Sequence, residues 1–446
     1  MTTGFQSRRV PILICCLALI AGLSFLWPAY RAFLNIEIDE VEGWNAYYAD
    51  AAMGRMPLYP SRDQLITNNY PPGSFYLVGL VGSWLGDPVL AGRLLSLLAV
   101  VVSALGVAVA LIMLGANAWA ALVGTLYFLA TMCRFFTGYV GMNDPHLLGQ
   151  AVMTLGFVAF LRANACDRGY WAAFLLMVAA GFIKHNVIVM PLTAMVWLAI
   201  HRPLQMVKSG LLAGGAIATG LVLCFFTFGS DFFTNLMSPR MTDWKRSLGS
   251  VGHLQWVGVG LIAWAYVGFT RRNEPEVQLC NLLIVFGLLS FFLQKAGHGV
   301  AHNAQFELVF GVSLGVGLAM AQAPFLPLAR RYSPEAMRFA FLLAICLRLV
   351  ASTRLEPVRW FADPSFNAEI VARERAMATT VDNIRATSGD VLCCPLACYK
   401  AGKPFVVDIF NANQRIKAGK LPADAISELV AGGVLTVVPE DPLLRW

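Results

Sequence analysis

A series of apolar runs, each about 20 residues long, restricts this chain more than any other feature, because each can cross a hydrocarbon core of about 30 Å. The first runs from Val10 to about Tyr30, just after Arg8 and Arg9. It is long, contains Trp27 and has no small-x-small cleavage site, so it reads as an uncleaved first span rather than a signal peptide. Charged residues make up 13% of the chain and hydrophobic ones 58%. A soluble chain carries about 25% charged residues. A soluble multidomain protein is therefore excluded, and the fold class is mainly α, a polytopic transmembrane helix bundle.

The remaining spans fall near 88–113, 118–140, 146–162, 170–183, 186–201, 209–229, 251–270, 277–294, 303–323 and 336–352, about eleven in all with the first. The formal net charge of +7 sits in short clusters between these runs. That placement suits control of topology and not a nucleic-acid surface, so no nucleic-acid partner is expected. If the N-terminus is cytoplasmic, the inner loops hold Arg162 and Arg168, Arg202 and Lys208, Arg271 and Arg272, and Arg330 and Arg331. An odd number of spans then carries the C-terminus outside. The expected setting is a bacterial inner membrane, with membrane lipids as surroundings.

Two domains are expected: 1–353 in the membrane, with a first outer loop at 31–87, and a small α/β outer domain at 354–446. Within the loop, 73–86 and 40–54 read as helices lying in the membrane interface. Pro71-Pro72 starts the former and Gly54 stops the latter. In the tail, 366–386 reads as helix, and strands at Phe405–Phe410 and Val434–Val438 flank a helix near Ala423–Ala431. Cys393, Cys394 and Cys398 cluster there; one disulfide is possible outside the cytoplasm, with one cysteine left over.

Ionisable groups at membrane depth are costly, so their placement is informative. They collect on the outer side: Asp39, Glu40 and Glu42 in the first loop, Asp144 before the fourth span, Lys184 and His185 after the fifth, and His298, His302 and Glu307 between the ninth and tenth or just inside the tenth. Each has a plainer reading. Asp39 and Glu42 fit a helix capping box, Asp144-Pro145 fits a helix start, and Lys184 could snorkel to the interface. His298 and His302, four residues apart, with Glu307 are weak grounds for a metal. No metal or cofactor is expected. The run Asn68-Asn69-Tyr70-Pro71-Pro72-Gly73 is by itself a rigid turn.

Taken together, these residues resemble a family. Asp39–Glu42, GRMPLYP at 54–60 and YPPG at 70–73 are similar to the first outer loop of the multi-span C-type glycosyltransferases. The nearest likeness is to the family 39-like group, which includes protein O-mannosyltransferases and the aminoarabinose transferases of lipid A. NDPHLLGQA at 143–151, GFIKHNVIVMPL at 181–192, GVAHNAQFEL at 299–308 and the AGKP element at 401–404 resemble further segments in the same order. The resemblance implies an inverting transfer of a sugar from a polyprenyl-phosphate donor to a hydroxyl of a glycan, lipid or protein acceptor on the periplasmic face. It implies a first-loop carboxylate as general base. Val41, Glu42 and Gly43 interrupt the usual pattern there, leaving Asp39 and Glu42 as rivals, with Asp39 favoured. Asp144 would orient a substrate, Lys184 with His185 would neutralise the departing phosphate, and Glu40, Tyr70, His298, His302, Asn303 and Glu307 would line the substrate site. A transporter or flippase is the rival reading. It would place polar groups at mid-membrane in two related halves, and this sequence shows neither.

Overall fold

The computed structural model describes residues 9–352, 355–439 and 444. Arg8 and the expected domain boundary at 353–354 lie outside the described residues. A helix stands at each of the eleven expected spans: α1 (Arg9–Arg31) and, after the first loop with α2 (Val41–Ala52) and α3 (Gly73–Leu85), α4 (Pro88–Met113), α5 (Ala118–Phe135), α6 (Pro145–Cys166), α7 (Tyr170–Ile183), α8 (Val189–His201) and α9 (Pro203–Phe228). The short α10 (Ser230–Leu236) and α11 (Trp244–Gly249) precede α12 (Gly258–Thr270), α13 (Pro275–Lys295), α14 (Phe306–Gln322) and α15 (Pro334–Val350). Among the described residues, seven helical segments are long and apolar enough to cross a bilayer, while α7, α8 and α12 are shorter apolar helices.

α14 is the bundle's central post. Its Phe306, Val309, Phe310 and Val312 are fully buried. Small residues let its neighbours come close: a Cβ on Gly317 would meet Leu111 and the Ala120 carbonyl, and one on Gly315 would meet the Trp264 ring. α9 is the opposite case, with only 6% of its apolar window covered by protein. Leu211, Leu223 and Phe226 project outward, the composition a lipid-facing helix requires.

The basic loops meet at one end of the bundle. Arg202 pairs with Asp167 and bonds the Asn164 carbonyl, His201 bonds Gln278, and Gln322 reaches Glu274. The first loop and the tail cover the other end. There α3 keeps an exposed apolar face of Tyr76, Leu77, Leu80 and Trp84, suited to a membrane interface. α2 differs from expectation in its surroundings. Its Ala46, Tyr47, Tyr48 and Ala49 are buried by packing against α3, α4 and the tail, so much of the helix expected in the membrane interface is covered by protein.

The tail contains α16 (Glu356–Ala362), α17 (Pro364–Ala386), β1 (Asp390–Leu392), α18 (Pro395–Lys400), α19 (Ile409–Lys417), α20 (Ala425–Ala431) and β2 (Leu435–Val437). β1 and β2 pair in parallel, Asp390 opposite Leu435. The strand expected at Phe405–Phe410 does not form. Asp408 instead caps α19, accepting from the Asn411 N–H, and only Val407 makes a bridge, to Leu65 of the first loop. Cys393 is bonded to Cys398, and Cys394 donates to Glu37. The tail is stitched onto the first loop by Tyr47 Oη to the Lys403 carbonyl (2.7 Å), Tyr399 Oη to Asp50 (3.0 Å) and the Leu396 N–H to Glu37 (3.1 Å). Gly43 makes this contact possible, since a Cβ there would lie 2.3 Å from the Pro395 carbonyl carbon.

Candidate functional site

A cleft of about 400 Å³ opens at the end of the bundle away from the basic loops. Its lining includes residues of the Asp39–Tyr48 segment, Thr67 to Tyr70, Tyr139, Lys184 to Asn186, Leu236 to Arg240, Gly299 to Asn303, and Asp408 to Asn411.

One buried ion pair sets the position of the Asp39 segment. Arg93, on α4, donates from Nε to Glu42 Oε1 (2.8 Å) and from Nη2 to Glu42 Oε2 (2.7 Å). Its remaining donors hold the Leu34 and Ile36 carbonyls, each at 2.7 Å. Glu42 also accepts from the Ile38 N–H (2.9 Å) and the Asn143 N–H (3.0 Å). Both side chains are buried, Glu42 completely. A charge removed from water survives only when its lone pairs and protons are matched, and here they are. The clamp therefore fixes the loop before α2 to the loop before α6. Glu42 does not line the cleft, and the four hydrogen bonds its carboxylate accepts leave it no room to act as a base. The structure thus places Glu42, the expected rival of Asp39 for the base role, in a buried clamp outside the cleft. Asp39 lies exposed at the cleft wall, with one carboxylate oxygen accepting from the Val41 N–H (3.2 Å).

Lys184 ends α7 in extended backbone conformation, its Cβ against Gly149 of α6, where an added methyl would sit 2.9 Å away. Its ammonium stands 3.5 Å from the centre of the Tyr70 ring. It has no carboxylate partner among the described residues. The cation–ring contact holds the ammonium without neutralising it. Glu307 steadies the same turn from behind. Its carboxylate accepts from the Ile188, Val189 and Met190 N–H groups, the free donors at the start of α8. Glu307 is thus a buried cap outside the cleft, correcting its expected place on the substrate wall. His298 and His302 also fall outside the lining. The His302 ring packs edge-on against His253 and Trp256, 4.8 and 4.7 Å between centres, and the His298 N–H bonds the Met241 carbonyl. Glu40, Tyr70, His185 and Asn303 do line it.

Asp144 caps α6, accepting from the His146 N–H (2.8 Å), and is mostly buried just behind the cleft wall. On the cleft wall, burial first and then the charges of Asp144 and Asp39 push the Tyr139 hydroxyl well above the usual phenol range. His185 is pushed down to about 4, mainly by loss of bulk solvent inside the cleft and then by the like charges of Lys184 and Arg240. It is therefore neutral near pH 7, able to hydrogen-bond a phosphate but not to neutralise one, which leaves Lys184 as the cation of that pair.

Arg240, Tyr139, Asn186 and Asp408, which are not among the site residues expected from the sequence, also line the cleft, as does Asn68 of the turn at 68–73. Only Asp408 carried a local signal, an Asp followed three residues later by Asn411, the spacing of a helix cap. Burial pushes the Asp408 carboxyl up to about 6. The folded protein thus holds that proton more tightly than the unfolded chain between about pH 4 and pH 6, and the group's contribution to stability falls as pH rises through that window. The Asp408→Asn protein should lack this loss: its thermal unfolding midpoint relative to the parent will rise between pH 4.5 and pH 7, and a constant difference would contradict the assignment.

A second, apolar groove of about 510 Å³ runs between α6, α7, α8 and α9 and shares His185 and Leu236 with the cleft. Met177, Phe182, Met195 and Ile217 are among its lining residues.

No protein-family model and no curated protein sequence matches this chain. Solved structures do. ArnT from Cupriavidus metallidurans in the apo state matches with a TM-score of 0.59 at 12% identity, over 96% of this chain and 92% of that one. The same protein bound to undecaprenyl phosphate gives a TM-score of 0.56 at 11% identity, covering 96% and 91%. The apo oligosaccharyltransferase of Archaeoglobus fulgidus gives 0.55 at 12% identity, covering 96% and 69%. The chain has the C-type glycosyltransferase fold. At this identity the likeness concerns architecture alone. Within the C-type fold the cleft lies where the first loop, the bundle and the tail meet, and its chemistry depends on the side chains described above.

Proposed function

We propose that the protein is an inverting glycosyltransferase that moves a sugar from a polyprenyl monophosphate to an acceptor hydroxyl at the periplasmic face. One observation carries this reading: a polar cleft with a carboxylate and a cation on its walls lies beside a mainly apolar groove between helices, and the two share His185 and Leu236. A substrate with a charged, sugar-bearing head and a long hydrocarbon tail fits such a pair of adjoining spaces. The loop clusters Arg162/Arg168, Arg202/Lys208, Arg271/Arg272 and Arg330/Arg331 belong to the opposite end of the bundle, which supports a periplasmic cleft.

In the proposed reaction, Asp39 takes the proton of the acceptor hydroxyl as its oxygen attacks the anomeric carbon. The bond from that carbon to the phosphate oxygen breaks on the opposite face, which inverts the configuration. The electron pair leaves with the phosphate, whose growing charge Lys184 stabilises in a poorly hydrated setting, assisted by a hydrogen bond from His185. Asp144 holds the loop that faces the acceptor. The donor bond is already activated, so this scheme draws on no metal or nucleotide.

The test is transfer from a radiolabelled polyprenyl-phosphate sugar in proteoliposomes. The Lys184→Gln protein should lose about two to three orders of magnitude in kcat. Substrate carried across the bilayer but never covalently altered by the parent protein would replace this reading with transport.

A further inference from the structure

Beside the cleft lies a second recess of about 340 Å³, formed where the first loop, α10 and the end of α19 meet. Thr67 and Ser238 line both spaces, so the two share a wall. Three cations face the recess: Arg62, Arg415 and Lys420. None forms an ion pair among the described residues. Two carboxylates, Asp63 and Asp408, act on Arg415 through space, but each is hydrogen-bonded to another group, Asp63 to Ser61 and Asp408 to Asn411. Arg415 is 7% exposed, and its guanidinium is held in place by the Gln64 carbonyl (2.6 Å) and the Arg62 carbonyl. At the shared wall, the Ser238 hydroxyl is buried without a hydrogen-bond partner.

Three like charges gathered around one cavity repel each other unless an anion joins them. A guanidinium pinned by backbone carbonyls is a preorganised donor for phosphate or carboxylate. The proposed donor carries one phosphate, already matched by Lys184. We infer that this recess is a subsite for an anionic group, phosphate or carboxylate, on the acceptor. The inference rests on the glycosyltransferase reading for the word acceptor, while the anion site itself stands on geometry alone.

The experiment measures binding, so that its failure stays distinct from a failure of sugar transfer. Lys184→Gln protein in neutral detergent is titrated with inorganic phosphate, against chloride at matched ionic strength, following the thermal unfolding midpoint. A saturable upward shift is expected. Adding Arg62→Gln and Lys420→Gln, both exposed positions, should weaken the apparent Kd at least tenfold while leaving the midpoint in chloride unchanged. Identical titrations in the two proteins would overturn the site. The same titration is then run in nanodiscs of phosphatidylcholine with and without phosphatidylglycerol, at high salt. A Kd that is alike in both supports the acceptor. A Kd more than tenfold weaker with phosphatidylglycerol assigns the recess to a bilayer headgroup and overturns the proposal.

Discussion

Asp39→Asn is expected to lower sugar transfer by about two to four orders of magnitude, the range set by removing a general base. The unfolding temperature should stay close to that of the parent. Asparagine keeps the shape of the side chain, and its carbonyl oxygen can still accept from the Val41 N–H that begins α2. What it loses is the ability to take a proton. The measurement is initial rate per folded molecule with a polyprenyl-phosphate sugar, beside a melting curve. More than a tenth of the parent rate would remove Asp39 from the base role.

The second large effect is on folding. Arg93→Ala should destabilise the protein by about 3–5 kcal/mol, the cost of leaving a buried partner charge uncompensated. Glu42 would then lie in a water-free site with only the Ile38 and Asn143 N–H groups for company, and the Leu34 and Ile36 carbonyls would lose their donors. Replacing both members with methionine should not restore stability. Many buried pairs tolerate apolar replacement, but this one also serves four backbone groups, and orphaned buried backbone groups are costly. Yield of monodisperse protein and its melting temperature read the effect. A stable Glu42→Met/Arg93→Met double variant would show that the clamp is not what holds the first loop.

The contrast between these two variants separates roles that the amino-acid order left tangled. Asp39 and Glu42 stand three residues apart, and either reads as a capping residue or a base. Arg93 is 51 residues beyond Glu42 and Asn143 is 101, so nothing local indicates that Glu42 is consumed by them. The same holds for Glu307. In the chain it stands close to His298 and His302, yet in the fold it turns to the start of α8, more than 100 residues earlier. Hydrogen-bond commitment is a property of the assembled molecule, and it holds Glu42 and Glu307 outside the cleft.

The tail shows the same limit. Phe405–Phe410 has strand-like composition, but a strand needs a partner edge, and the segment finds only one bridge, to Leu65. The capping requirement of α19, met by Asp408, prevails over β propensity. Val434–Val438 was placed correctly because β1 supplies it with a parallel neighbour.

By itself the sequence determined that this chain crosses a membrane many times, where the helices stand, and which end of the bundle gathers the acidic and imidazole groups. Those properties follow from apolar length and charge placement, which act on each segment independently. Only the tertiary structure decided which of those groups face a shared space and which are spent holding it open. That division depends on contacts between segments far apart in the chain, and no local pattern records them.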